Sequence, residues 1–265
     1  MMMRGASADA YAATSAALTG AGDAGTVGRD LFGVADLLRA EPALRRVATD
    51  ASIESEAKAG LFREVLAGKV SELALAAVVV AVSQRWTASR DLADALERLG
   101  VVSVVQSSGG EAGRLEDELF AFGQVVQDNP PLRDALSDPA RSREDKSRLL
   151  GDLLGDKVLP ATVALVQQSL SGSYRTVGVA LADYQKVASE VRGQGVATVR
   201  VARPLSDADR QRLADALSRS YEREIHINVV VDPDVLGGIR VEIGDDVIDG
   251  TVSSRLDEAR RRLAG

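Results

Sequence analysis

The sequence predicts a mainly α-helical protein with a small α/β domain at its C-terminal end. The length of 265 residues is enough for about two domains. Apolar residues recur at helical spacing over roughly the first two-thirds of the chain, and they alternate as in strands after Gly195. We therefore expect two similar helical bundles followed by a β-α-β-β-α unit. These parts should span residues 1–100, 101–193 and 194–265.

The two bundles are predicted from an internal repeat. A displacement of 88 residues aligns Asp30–Trp86 with Glu118–Tyr174 without a gap. Fifteen of the 57 aligned positions are identical, among them Pro42 with Pro130. A gapless match of this length indicates a duplicated domain rather than a short solenoid repeat. The two bundles are called copy one and copy two below.

Each copy carries the apolar periodicity of packed helices. In copy one, Leu31, Val34 and Leu38 lie on one helix face, and Pro42 then breaks the register and opens a short helix. Leu73–Gln84 is apolar all round, which is typical of the central helix of a bundle. Copy two repeats these features 88 residues later.

One segment between the copies gives conflicting signals. Val101–Val105 is rich in β-branched residues and by itself favours a strand. The repeat, however, aligns Asp94–Ser107 with a helix-like segment, Ala6–Leu18. We therefore predict one helix near residues 90–107 that closes the first bundle and opens the second.

The C-terminal third predicts alternating strands and helices. Val196–Ala202, Glu224–Val231 and Ile239–Ile243 have the pattern of strands, and Ser206 is a helix N-cap candidate. Gly244–Asp246 predicts a hairpin turn into Val247 and Ile248. The chain then ends in a predicted amphipathic helix whose apolar face consists of Val252, Leu256, Ala259 and Leu263.

Composition excludes several classes of function. The chain has no cysteine and one histidine, so thiolate and multi-histidine metal centres are excluded, and no cofactor is predicted. A net charge of −7 with 3% aromatic residues argues against nucleic acid as a partner. The longest apolar run, Leu73–Val82, is about half the length of a membrane span, and the N-terminus lacks a signal-peptide pattern. We expect a soluble protein made inside the cell without direct membrane insertion.

Three motifs invite functional interpretations that the sequence favours less than structural ones. Gly20–Gly25 matches GxGxxG, but it follows a helix-like segment instead of a strand, so it is interpreted as a linker. His226 lies between two isoleucines of a predicted strand and is interpreted as structural. Asp245, Asp246 and Asp249 lack the spacing of a calcium loop and fit turn chemistry better.

Two large aromatic rings occupy equivalent repeat positions. Trp86 aligns with Tyr174, each at the end of a predicted central helix. Aromatic residues at such positions pack against the bundle more often than they anchor a partner, although rings are also favoured at binding hot spots. The packing role is the one we predict.

The segment Asp232–Leu263 reads DPDVLGGIRVEIGDDVIDGTVSSRLDEARRRL. This resembles the C-terminal signature of the delta subunit of F-type ATP synthase, the bacterial counterpart of OSCP. Thr251 stands where that family usually has serine, and Glu118–Ala188 is similar to the family's six-helix N-terminal domain. A second helical copy makes the chain similar to the longer delta subunits of some high-GC lineages. The signature residues are Gly237, Gly238, Gly244, Asp245, Asp249 and Leu256.

The resemblance implies a stator role without catalysis. Delta subunits of this family tie the catalytic head of the synthase to the peripheral b stalk, so that the head does not turn with the rotor. Their helical domain receives N-terminal helices of alpha subunits, and their C-terminal domain meets the C-terminal region of b. The expected location is the cytoplasmic face of the cell membrane, as a peripheral part of the proton-translocating complex.

Two docking grooves are expected for partner helices. The copy-one groove should lie between residues 8–18 and Leu75–Val82, and the copy-two groove between residues 94–107 and Val163–Leu170. A free-standing helical adaptor is the alternative function, and an enzyme using Asp245, Asp246 and His226 is a more distant one. The predicted groove residues are Tyr11, Leu18, Leu75, Val78 and Val82 in copy one, and Leu96, Leu99, Val102, Val163, Val166 and Leu170 in copy two.

Overall fold

The computed structural model describes residues 3–19, 23–222, 224–233, 235, 237–243 and 246–251. The chain forms two compact units, Met1–Gln185 and Lys186–Gly265. The described residues are mainly helical, with one small sheet near the C-terminus, which confirms the predicted fold class. The three-part division at residues 100 and 193 stays a prediction.

In the described part of the first unit, the regular structure is helical, with two short 3-10 turns, Gly109–Glu111 and Gly155–Lys157. In chain order the helices are α1 (Ala6–Ala16), α2 (Ala24–Ala40), α3 (Pro42–Thr49), α4 (Ser55–Leu66), α5 (Glu72–Ser83), α6 (Ser89–Ser107), α7 (Ala112–Asp128), α8 (Pro130–Ser137), α9 (Arg143–Leu154), α10 (Pro160–Gln168), α11 (Val177–Arg192) and α12 (Asp207–Tyr221). The last of these belongs to the second unit, and α11 contains the boundary between the units.

The helix bounds repeat with the sequence. Displaced by 88 residues, α2, α3 and α4 begin and end at the same positions as α7, α8 and α9. Pro42 and Pro130 each occupy the first turn of a short helix, where a missing N–H costs nothing because that group has no intrahelical partner. The same local signals therefore fold the same elements twice.

One helix serves both copies, as predicted. The valine-rich segment Val101–Val105 is helical, within α6. This helix contacts α1, α2, α3 and α5 on one side of the repeat and α7 and α10 on the other. Because α6 is buried over most of its circumference, tertiary packing overrides the local preference of its β-branched residues for a strand.

Helices α2 and α6 approach each other closely. A Cβ added to Gly28 would lie 2.5 Å from Val104 Cγ2 and 2.8 Å from the carbonyl oxygen of Gly100. A Cβ on Gly100 would lie 2.6 Å from the ring of Phe32. Glycine at both positions lets the two backbones approach more closely than any side chain would permit. The core of copy one is built around this pair, with Leu31, Leu38, Phe62, Val78, Leu92, Leu96 and Leu99 among its buried members.

The described residues of the second unit form a four-stranded sheet with a crossover helix, α12. Its strands are β1 (Gly195–Val201), β2 (Ile225–Val231), β3 (Ile239–Ile243) and β4 (Asp246–Asp249), in the order β2-β1-β3-β4. β1 pairs parallel with β2, and α12 connects these two strands in the chain. β3 pairs antiparallel with β1 on one side and with β4 on the other.

The sequence-based formula for this unit contained three strands, and β4 is a fourth. The predicted hairpin after β3 is long enough to form a strand of its own, Asp246–Asp249. The core of the unit consists of alternate residues of β1 and β2 together with Leu217 of α12. The predicted terminal helix, with Leu256, lies outside the described residues.

Candidate helix-docking site

The copy-one groove is predicted between α1 and α5, and these helices do pack against each other. Tyr11 and Leu18 of the first segment and Leu75 of the second are half-buried against the bundle core. Val78 and Val82 are fully buried and so belong to the core itself. Three of the five predicted residues therefore lie where a partner could reach them.

The copy-two residues are buried more deeply. Leu96, Leu99 and Val166 are 0%, 1% and 0% exposed. Val102, Val163 and Leu170 are half-buried. α6 and α10, which carry these residues, are in contact. Leu96 and Leu99 pack inside the core of copy one, so copy one covers this side of the predicted groove.

A cavity of about 500 Å³ lies beside α10. Val163, Ala164 and Gln167 of α10 form one wall, and Arg29, near the start of α2, forms the opposite wall. The predicted groove residue Val163 therefore faces α2 of copy one across a gap. The remaining lining residues are Gly155, Asp156, Val158 and Pro160.

A buried carboxylate connects the two copies. Glu97 of α6 is 3% exposed and pairs with Arg39 of α2. Its Oε1 accepts hydrogen bonds from Gln168 Nε2 of α10 (3.2 Å) and from the Tyr184 hydroxyl of α11 (3.0 Å). Asp94, one turn away, also accepts from Arg39 at 3.0 Å. A buried charge with this many partners fixes the geometry of the helices that carry them.

The network is specific to the junction between the copies. Displacement of Arg39 and Glu97 by 88 residues leads to Gln127 and Gln185, which cannot form an ion pair. Sequence reasoning missed this site because it does not repeat. A charged residue on an apolar helix face was the available signal.

The network also perturbs its ionisable groups. Burial, and then the charge of Glu97, raise the pKa of Tyr184 above its ordinary value. Burial and the hydrogen bond to Asp183 likewise raise the pKa of Tyr174. Burial opposes the charge on Arg39, but Glu97 and Asp94 outweigh it and raise the pKa of the guanidinium.

Both aromatic residues at the ends of the central helices have packing partners. Trp86 is half-buried against the copy-one core, and its Nε1 donates to the carbonyl oxygen of Ala81 at 2.9 Å. Tyr174 stacks edge-to-face on Tyr184 with ring centroids 5.6 Å apart. These contacts agree with the packing role predicted for the two rings.

The remaining sequence candidates, where the structure describes them, have structural surroundings. Asp23 caps α2 by accepting from Gly25 N, and α1, not a strand, precedes the glycine-rich segment, which does not fit a dinucleotide loop. Residues 20–22 of that segment lie outside the described residues. His226 is half-buried on β2, between the core residues Ile225 and Ile227. Among the described residues, no group of histidine, aspartate and glutamate could hold a metal ion.

The described signature residues have structural roles. Gly238 has φ +82°, and a Cβ there would lie 2.4 Å from the carbonyl oxygen of Gly250. Gly237 has φ +146°, which also favours glycine. Asp249 Oδ1 accepts from the backbone N (3.0 Å) and the hydroxyl (2.7 Å) of Thr251. Gly244 and Asp245 lie outside the described residues, as does Leu256.

In the part of the chain that the structure describes, no helix has the length and apolarity needed to cross a bilayer.

Residues 100–263 match the family model described as ATP synthase delta (OSCP) subunit. Two proteins named ATP synthase subunit delta are close relatives. The protein of a Nocardioides species is 59% identical over 237 residues, which cover 89% of this chain and 86% of that protein. The protein of Streptomyces coelicolor is 42% identical over 270 residues, which cover 99% and 98%.

A solved structure gives a weaker match. It is a chain in a cryo-EM structure of the Toxoplasma gondii mitochondrial ATP synthase hexamer, with 17% identity and a TM-score of 0.34. The alignment covers 58% of this chain and 97% of that one. The whole-length relatives, in contrast, extend through copy one, which the family model leaves out.

Proposed function

Because this chain belongs to the ATP synthase delta (OSCP) subunit family, we propose that it is a stator subunit of the synthase. In this role it links the catalytic head to the peripheral b stalk at the cytoplasmic face of the cell membrane. It holds the head against the torque of the rotor while ATP is made. It performs no reaction itself. The match of residues 100–263 to the family model carries the proposal.

The helical unit is suited to gripping partner helices. Tyr11 on α1, Leu18 just after α1 and Leu75 on α5 are apolar side chains that stay partly exposed. An amphipathic helix can lay its apolar side into such a groove without any chemistry, and burial of apolar surface supplies the affinity. The proposed occupants are N-terminal helices of alpha subunits.

A stator must also resist deformation. The Glu97 network and the Gly28–Gly100 contact join helices of both copies through buried, specific interactions. Such interactions tolerate little movement because close-packed interiors transmit strain. The second unit is proposed to meet the C-terminal region of the b subunit.

Co-purification from native membranes tests the proposal. A tagged chain should bring down the alpha and b subunits in constant ratio. Membranes that lack the chain should lose proton-driven ATP synthesis, because the head is no longer held. A free-standing adaptor would instead purify without these subunits, and membranes lacking it would make ATP at the normal rate.

The distant enzyme alternative has its own control. The His226→Ala variant should assemble into the complex and leave proton-driven ATP synthesis nearly intact, because His226 is interpreted as a structural residue of β2. Complete loss of synthesis in a normally assembled complex would favour catalysis instead.

A further inference from the structure

Equivalent residues of the two repeats differ consistently in burial along one helix face. On α1, Ala8, Tyr11 and Ser15 are half-buried, and Ala12 and Ala16 are exposed. The residues 88 positions later on α6 are all buried: Leu96, Leu99, Ser103, Gly100 and Val104.

The neighbouring helix shows the same change. Ala76 of α5 is exposed, whereas its counterpart Ala164 of α10 is half-buried. Val80 of α5 is half-buried, whereas its counterpart Gln168 is buried. The face that α1 and α5 leave open in copy one is therefore covered in copy two.

The cover is α2 of copy one. This helix packs along α6 through Gly28 and also contacts α10. Its Phe32 lies directly over Gly100, and its Arg29 faces Ala164 across the cavity beside α10. A single helix thus lies on both walls of the groove that the sequence predicted for copy two.

We propose that α2 is the resident occupant of the copy-two groove, so that the described helices offer one open helix-docking groove, α1/α5, and not two. Copy two is then docked onto copy one within the same polypeptide. Duplication of the bundle has added a rigid extension rather than a second binding site. This inference rests on the proposed function only for the identity of the external helix.

The occupied groove indicates what the vacant one would accept. α2 is amphipathic and approaches α6 through a glycine with an aromatic residue one turn later, Gly28 and Phe32. The vacant face has small residues, Ala8, Ala12 and Ala16, along the same line on α1. Small residues allow close approach of a second helix. The partner is therefore an amphipathic helix, for which the N-terminal segment of the alpha subunit is the candidate.

The repeat supplies a matched pair of probes. Because the chain has no cysteine, Ala76→Cys and Ala164→Cys each introduce one unique thiol at equivalent positions of the two copies. The rate of maleimide labelling is measured with and without a synthetic peptide of the alpha N-terminal segment, and the stoichiometry is measured by titration calorimetry on the unsubstituted chain. Both variants must first show the thermal unfolding curve of the parent.

The proposal expects one peptide per chain. At saturation the peptide should slow labelling of Ala76→Cys by about tenfold or more and change labelling of Ala164→Cys by less than about twofold, because a bound helix covers the first thiol only. Two peptides per chain, or protection of Ala164→Cys, would overturn the inference and leave the stator role intact. If neither the peptide nor the intact head binds the folded chain, both proposals fail.

Discussion

Substitution of two glycines in one helix should change stability in opposite directions. Gly28 and Gly33 both lie in α2, but only the first faces α6. A Cβ at Gly28 would meet backbone atoms of α6, the carbonyl oxygen of Gly100 at 2.8 Å and the backbone N of Val104 at 3.1 Å. A Cβ at Gly33 would have no neighbour within 4 Å.

The magnitudes follow from two competing effects. Alanine is favoured over glycine inside a helix by about 1 kcal/mol, so Gly33→Ala should raise the free energy of unfolding by that amount. At Gly28 the same gain is opposed by overpacking, which costs about 3 kcal/mol where backbone atoms cannot turn aside. The net effect of Gly28→Ala is then a loss of about 2 kcal/mol, which puts the two variants about 3 kcal/mol apart.

Urea denaturation followed by circular dichroism measures both variants against the parent. The slopes of the transitions should agree, so that midpoints report stability directly. If Gly28→Ala is as stable as Gly33→Ala, the close approach of α2 and α6 does not exist as described. The self-docking of copy two would then lose its main contact.

Three further predictions concern single side chains. Glu97→Ala leaves the partly buried Arg39 without its main counter-charge. The free energy of unfolding, measured by urea denaturation, should fall by about 3 kcal/mol. A loss below about 1 kcal/mol would contradict the role of the network. Because the pKa of Tyr184 is raised in the folded state, its contribution to stability is complete below about pH 10 and declines above it, as the unfolded chain ionises first. Tyr184→Phe should therefore flatten the decline in melting temperature at alkaline pH, and an unchanged decline would exclude this residue as its source. The Ser142 side chain caps α9, whereas its repeat counterpart Glu54 does not cap α4. Ser142→Ala should therefore lower the free energy of unfolding by about 1 kcal/mol, and Glu54→Ser should raise it by up to about 1 kcal/mol. Calorimetric melting measures both variants, and a change of the same sign in both would refute the capping argument.

Local signals and the repeat together were sufficient for most of the architecture. The valine-rich segment Val101–Val105 favoured a strand by composition, and only its alignment with Ala6–Leu18 predicted the helix that the structure contains. The return strand β4 was predicted only as a hairpin turn into Val247 and Ile248 and was not counted in the three-strand formula, because so short a segment leaves few residues in which alternation can be recognised. Element type was thus predictable where a pattern occurs twice or runs long.

The site was less accessible to sequence reasoning. Leu99 and Tyr11 are equivalent in the repeat, so the sequence assigns both to a groove, yet the structure buries the first and leaves the second half-exposed. Burial at this position depends on which helix packs over it. The periodic spacing of apolar residues in the sequence is the same whether the helix face is covered by α2 or left open. Glu97 was missed for the related reason that its partners come from helices distant in the sequence.

The sharing of α6 has a genetic consequence. A break between residues 100 and 101, where the two copies would be divided, falls in the middle of this helix and leaves each fragment without a complete bundle. A deletion that removes the first bundle must therefore end before Ser89, so that α6 stays with the second bundle.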